Sequence, residues 1–233
     1  PIRFAVFLAF FGHGPSGPIV RYGQQAPQLD PGSETRRVSA DRFCYGIKRL
    51  VLGLAKKAII ADQLALIYAK VASVPAATLP APILVLGYTA YMMQLYFDFS
   101  GYSDMAIGIG EFFGITLPEN FEYPYLACSV GEYWRRWHIS LSSWFRDYVY
   151  IPLGGSRVAA KRRLYFNIFI VWLLTGIWHG AKWTYIVWGM MYFVLLCVER
   201  ILNLSGQKSW LGWIYTVFFF IAGNVVFRSE NVT

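Results

Sequence analysis

Charge is scarce in these 233 residues: Asp, Glu, Lys and Arg together make up 15% of the chain, against 56% hydrophobic residues. Soluble domains average about 25% charged and 45–50% apolar residues. A chain this apolar excludes disorder, which needs charge and few aromatics to stay solvated, and argues against an ordinary soluble domain. Cysteine is also sparse. Cys44, Cys128 and Cys197 are odd in number and far apart. Neither C-x-x-C nor H-E-x-x-H occurs, so neither a disulfide framework nor a zinc site is supported. Acidic residues are outnumbered 13 to 21, leaving a net charge of +8. The basic residues fall in short clusters between apolar stretches: Arg36–Arg37, Lys56–Lys57, and Arg157 to Arg163. Cytoplasmic loops of a multispanning protein look like this, and a nucleic-acid surface does not. No signal peptide is visible, and the first and last residues, Pro1 and Thr233, read as ends within a longer membrane protein.

What the chain does have is aromatic residues (9 Trp, 16 Tyr and 18 Phe) and long uncharged runs. A membrane protein is the default reading of that composition. Residues 4–20 are uncharged but carry Gly12, Gly14, Pro15, Gly17 and Pro18, so a helix there is expected to break near Gly12. Residues 21–42 read as a loop, and residues 43–70 as a helix lying partly at the interface. Ile83 to Phe97 forms most of a span ending at Asp98, and Met105 to Leu117 a second, short and glycine-rich piece. Residues 164–181 and 183–198 are two apolar pieces separated by Lys182, and residues 209–227 form the last. A spanning helix needs about 20 apolar residues, so several of these are marginal alone. Short, glycine-broken segments predict buried, tilted or re-entrant helices, tolerated only inside protein or around a water-filled cavity. Residues 1–233 are expected to form one membrane domain.

Three constellations could carry chemistry. Ser129-Val130-Gly131-Glu132 matches a capping box, so a helix should start near Ser129. Trp134, Trp137, Leu141, Trp144 and Tyr148 then recur at helical spacing, with Arg136, Ser140, Ser143 and Asp147 opposite and His138 inside the helix. On this pattern alone an interfacial anchor helix is as good a reading as a functional one, and a lone histidine on such a mixed face is more often a hydrogen-bonded structural residue than a catalyst. The second is Thr175-Gly176-Ile177-Trp178-His179-Gly180. From Arg163, sixteen helical residues at 1.5 Å each reach roughly 24 Å into a ~30 Å core, which places His179 deep. An ionisable group there marks a functional site by default, with a buried structural histidine as the alternative. The third, Asp98 to Asp104, bunches two carboxylates with Ser100 and Ser103 one turn beyond Gln94. It could line a polar cavity, or it could be a surface loop.

At these same residues the chain resembles the membrane-bound O-acyltransferase (MBOAT) family. The resemblance lies in Gln94-Leu95-Tyr96-Phe97-Asp98-Phe99-Ser100-Gly101-Tyr102-Ser103-Asp104, Leu117-Pro118-Glu119-Asn120-Phe121, Trp134-Arg135-Arg136-Trp137-His138, Tyr150-Ile151-Pro152-Leu153-Gly154-Gly155 and Trp178-His179-Gly180-Ala181. It is nearest to the bacterial branch that O-acetylates exopolysaccharides such as alginate. It runs from Gly17 to Arg228 and lacks the family's N-terminal helices and C-terminal tail. His13 maps to nothing in it and receives no role.

The resemblance implies an all-α, multispanning fold with short, broken or re-entrant helices around a transmembrane tunnel. It makes His179 the catalytic residue and His138 its partner, with Gln94, Asp98, Ser100, Asp104, Trp134, Arg136 and Trp178 along the substrate path. It also implies acetyl-CoA or another acetyl donor as substrate, with no bound cofactor or metal. The acceptor is then an exopolysaccharide. The setting is lipid, as a multi-pass protein of the bacterial inner membrane, beside a periplasmic acetyltransferase and a polysaccharide synthase. The chemistry agrees: a sugar hydroxyl is a poor nucleophile, and a neutral imidazole can take its proton as it attacks an acyl carbonyl. His138 would orient the donor or stabilise the oxyanion. The alternatives are a transporter, which should depend on Asp98 and Asp104, and a non-catalytic scaffold of a polysaccharide synthase, which should tolerate loss of both histidines.

The Arg157-to-Arg163 loop is predicted to face the cytoplasm, with a helix break near Gly180 and a return around Glu199–Arg200. An Ala160→Cys protein should therefore resist membrane-impermeant thiol reagents in intact cells and react after permeabilisation. Labelling from outside would overturn this topology.

Overall fold

The computed structural model describes residues 2–10, 13–14, 17–30, 32–33, 36–204 and 208–230. The expected break at Gly12 lies outside them. Among the described residues every regular element is helical, and the only extended pairing is an isolated bridge between Phe121 and Trp137. The all-α expectation holds. Contacts divide the chain into two compact units, Pro1–Asn120 and Phe121–Thr233.

The first unit opens with α1 (Ile2–Ala9) and the single turn α2 (Tyr22–Gln25), which runs into a 3₁₀ turn at Ala26–Leu29 inside the stretch expected to be loop. Then α3 (Ala40–Ala55) starts on Ser39, whose hydroxyl accepts the Arg42 N–H at 3.2 Å. It passes through a π-helical turn at Lys56–Ala61 into α4 (Asp62–Ala72). After Pro80, α5 (Ala81–Phe112) runs unbroken for 32 residues with Pro82 in its first turn, where a missing N–H costs nothing.

That continuity corrects the sequence reading, which ended a span at Asp98 and began a separate piece at Met105. The glycines that suggested a break are contact points instead. A Cβ on Gly53 would come within 2.5 Å of the Gly101 carbonyl oxygen, and one on Gly46 within 2.7 Å of the Gly108 carbonyl oxygen. The two antiparallel helices thus cross backbone to backbone at two places seven residues apart. Ion pairs flank both crossings. Arg42 Nε meets Glu111 Oε2, Arg49 meets Asp104 Oδ1 and Lys56 Nζ meets Asp104 Oδ2, each at 2.5 Å.

In the second unit, α6 (Val130–Arg136) and α7 (Ile139–Phe145) are short. A π-helical turn at Arg146–Tyr150 follows, and Gly154 and Gly155, at φ 107° and 57°, turn the chain toward α8 (Lys161–His179). Gly180 ends α8 at φ 137°, and α9 (Trp183–Ile201) returns beside it. The expected break near Gly180 is there. In this hairpin Gly176 lies against the Tyr185 carbonyl and Gly189 against that of Trp172. Finally, α10 (Trp210–Arg228) begins on a Ser209 cap. The core is Val130, Trp172, Trp188, Tyr192 and Leu195, with Trp134 packed on it. By length and composition α9 and α10 could each cross a membrane, with mean hydropathies of 1.4 and 1.7.

Gly101→Ala should destabilise the protein by about 1–3 kcal/mol, the usual cost of overpacking a tight contact. Gly23→Ala, where a Cβ meets nothing within 4 Å, should cost nothing or stabilise slightly. Thermal inactivation of the two purified variants checks this; equal midpoints would refute the backbone contact.

Candidate functional site: two histidines in the second unit

The capping box opens α6 as the sequence implied: Ser129 Oγ accepts the Glu132 N–H at 3.1 Å. Glu132 reaches back to the Cys128 N–H at 2.9 Å and forward to Arg136 at 2.7 Å. The helix is not continuous through His138, however. Trp137 leaves the helical conformation and pairs across to Phe121, while the Glu122 N–H bonds the Arg136 carbonyl at 2.9 Å. His138 follows in the left-handed region, at φ 45° and ψ 55°, and α7 starts after it. So His138 sits at a break between two helices, not inside one. A non-glycine residue there is strained, and such strain persists only where the surroundings over-determine it. The side chain is buried, 8% exposed, with Ser140 Oγ 3.5 Å from its Nδ1.

His179 is the last residue of α8, half-buried at the other break. Aromatic rings surround it: Trp178 at 4.8 Å, Trp188 and Phe227 at 5.0 Å, and Tyr185 at 6.1 Å between centroids. Its imidazole has no hydrogen-bond partner among the described residues. Trp178 also lies 6.2 Å from the His138 ring, so one indole neighbours both histidines. An open groove of about 410 Å³ adjoins this corner, lined by Ile177, Gly180, Ala181, Lys182, Trp183 and Ile186.

The other expected site residues divide. Trp134 turns into the aromatic core, edge-on to Trp172, Trp188 and Tyr192 at 5.1, 5.4 and 4.8 Å. Arg136 is engaged by Glu132. Gln94, Asp98, Ser100 and Asp104 all lie on α5 in the first unit, where Asp98 to Asp104 form mid-helix rather than a loop. Gln94 donates to Asp98 at 3.1 Å, and Lys57 pairs with Asp98 at 3.0 Å. Asp104 is held by Arg49 and Lys56. Ser100 is buried, its hydroxyl without a hydrogen-bond partner among the described residues.

Sequence reasoning missed three residues. Trp188 and Phe227 form walls of the His179 corner, and their only signal was helical spacing within apolar runs. The third, Glu199, is 1% exposed and accepts the N–H groups of Val130 at 2.5 Å and Gly131 at 2.9 Å. A carboxylate closing sixteen uncharged residues was a signal that could have been read.

Two apolar helices of membrane-crossing length, α9 and α10, fit a helical membrane protein. The MBOAT, membrane-bound O-acyltransferase, family profile matches residues 1–228, and the chain belongs to that family. Among its relatives is the protein of Pseudomonas aeruginosa named Probable alginate O-acetylase AlgI, 43% identical over 99% of this chain and 44% of the relative. The peptidoglycan O-acetyltransferase of Helicobacter pylori is 39% identical over 99% of this chain and 44% of its own length. The teichoic acid D-alanyltransferase of Bacillus subtilis is 33% identical, covering 90% and 54%. The chain spans about half the length of these curated relatives.

Because His138 occupies a left-handed position, His138→Gly should leave the protein about 1 kcal/mol more stable than His138→Ala, although both lose the imidazole. Thermal midpoints of the two variants measure this. Equal midpoints would mean the break relaxes.

Proposed function

We propose that this chain is the catalytic portion of a multi-pass O-acetyltransferase of the bacterial inner membrane, its two units forming one membrane domain. It moves acetyl groups from a cytoplasmic donor such as acetyl-CoA to hydroxyls of an exported polysaccharide, alginate among the candidates. The observation that carries this reading is the His179 imidazole: half-buried among four aromatic rings, unpartnered among the described residues, at a helix break beside an open groove. The names of the relatives share one reaction class, transfer of an acyl group to a polymer, while the acyl group and the acceptor vary.

In this mechanism neutral His179 takes the proton of the acceptor hydroxyl as its oxygen attacks the acetyl carbonyl, forming the new C–O bond. The tetrahedral oxyanion collapses, the bond to the donor's leaving group breaks, and the imidazolium returns its proton to that group. His138, across Trp178, orients the donor or stabilises the oxyanion. The histidines would face a shared tunnel across the membrane, with Trp134, Arg136 and Trp178 near it; for Gln94, Asp98, Ser100 and Asp104 on α5 a substrate-path role rests on the family resemblance alone. A periplasmic acetyltransferase and a polysaccharide synthase are the partners. The carboxylates on which a transporter would depend are already occupied, Asp104 by two cations and Asp98 by Lys57, which favours a structural role for both.

His179→Ala in the full-length protein should abolish polymer-bound acetate at near-normal abundance, since losing a general base typically costs about 10²–10⁴-fold. His138→Ala should impair transfer less. Asp98→Asn should reduce the amount of folded protein more than the activity per molecule. Acetate per unit of membrane protein measures all three. A His179 variant that keeps more than about a tenth of wild-type acetate would end the catalytic assignment.

A further inference from the structure

Seven residues of helix are too few to hold a direction by themselves, because isolated helices below about 12–15 residues are marginal. Yet α6 leads directly into the strained backbone of His138, so something must aim it. Its first amide groups are tied from 69 and 68 residues away: Glu199 Oε1 accepts the Val130 N–H at 2.5 Å and Oε2 accepts the Gly131 N–H at 2.9 Å. Ser129 takes the next N–H, that of Glu132. A carboxylate that is 1% exposed is costly to bury; here each oxygen accepts one N–H of this helix end, with Tyr215 and Arg135 as its other neighbours. At the other end, the Trp137 N–H still bonds the Tyr133 carbonyl at 2.9 Å, and His138 follows at once. Between the ends, Trp134 is wedged among Trp172, Trp188 and Tyr192, so α6 cannot turn without unpacking the core. The result is a strut about 10 Å long at 1.5 Å per residue, clamped at its start and bearing His138 at its tip.

We propose that Glu199 is a positioning residue for His138: its buried carboxylate fixes the origin of α6 and, through that helix, the approach of the His138 ring to Trp178. The inference rests on the reading of His138 as part of the transfer site, and it predicts that Glu199 acts through His138 alone. An amide at this position accepts one N–H but turns an NH₂ group toward the other, so Glu199→Gln breaks half the clamp while keeping the volume.

The test uses the full-length protein in its native membranes with its partners, as wild type, Glu199→Gln, His138→Ala and the double variant. Two quantities are read: the rate of acetate transfer, and the carbethoxylation of His138 by diethyl pyrocarbonate followed by mass spectrometry, with His13 as internal reference. Losing one hydrogen bond of a charged clamp should lower kcat about tenfold with the donor KM nearly unchanged. Local loosening should raise His138 labelling about threefold or more while His13 does not move. The Glu199→Gln change should cost nothing further in the His138→Ala background, the signature of a residue acting through its neighbour.

Unchanged His138 labelling, or an equal cost in both backgrounds, would overturn the proposal. A His138→Ala protein that transfers at the wild-type rate while Glu199→Gln still raises His138 labelling would refute the function given to His138 and leave the positional link standing. Should Glu199→Gln fail to accumulate, Gly131→Ala decides: its new Cβ would lie 3.3 Å from Glu199 Oε2 and should raise His138 labelling in the same way.

Discussion

An α-helix that stops inside an apolar environment leaves peptide groups that nothing in the surroundings will bond, each costing several kcal/mol if left alone. Both histidines of the second unit sit at such a stop. At Trp137 the debt is met by a bridge to Phe121 and by the Glu122 N–H on the Arg136 carbonyl. At Val130 and Gly131 it is met by Glu199. At Gly180 the chain turns at φ 137°, with the Gly180 N–H returned to the Ile177 carbonyl at 3.1 Å. Both histidines are placed by these repairs: His138 immediately after one and His179 immediately before another.

Much of this was legible in the residues. Uncharged runs and their interruptions located α8, α9 and α10, because an apolar environment penalises charge wherever it falls within a span. Ser129 and Glu132 announced the start of α6, and Gly180 the end of α8. The central break was not legible. Helical spacing of Trp134, Trp137 and Leu141 continues straight through His138, and the pairing that interrupts it depends on Phe121 and Glu122, sixteen residues earlier in the chain. In α5 the error ran the other way. Charge at Asp98 and glycines beyond it count locally as weakness in a helix. The actual effect of the glycines, letting the α3 backbone approach, comes from a partner helix that a local reading does not contain.

The aromatic abundance also changes meaning once folded. Trp134, Trp172, Trp188 and Tyr192 meet edge-on or tilted, with centroids between 4.8 and 5.9 Å. Large rigid rings in such arrangements fill space with little side-chain freedom to lose. His179 is packed against one of them, Trp188, and Trp134 on α6 against the same indole. The supports of the two histidine-bearing breaks therefore touch a single side chain, Trp188.

The unbroken α5 raises a question of length. At 1.5 Å per residue, 32 residues make a rod of roughly 48 Å, against a hydrocarbon layer of ~30 Å. Tilts of up to about 40° shorten its projection only to around 37 Å, so the rod cannot be wholly submerged. Its N-terminal part up to Phe97 carries no charge, whereas Asp98, Asp104 and Glu111 all fall beyond it. The cations gather on that charged part: Arg42, Arg49 and Lys56 hold the buried Glu111 and Asp104, while Lys57 meets the more exposed Asp98. The same helix is thus gripped in two ways, by charge and by backbone-to-backbone shape at Gly101 and Gly108, and ionic strength loosens the exposed Lys57–Asp98 pair before the buried ones.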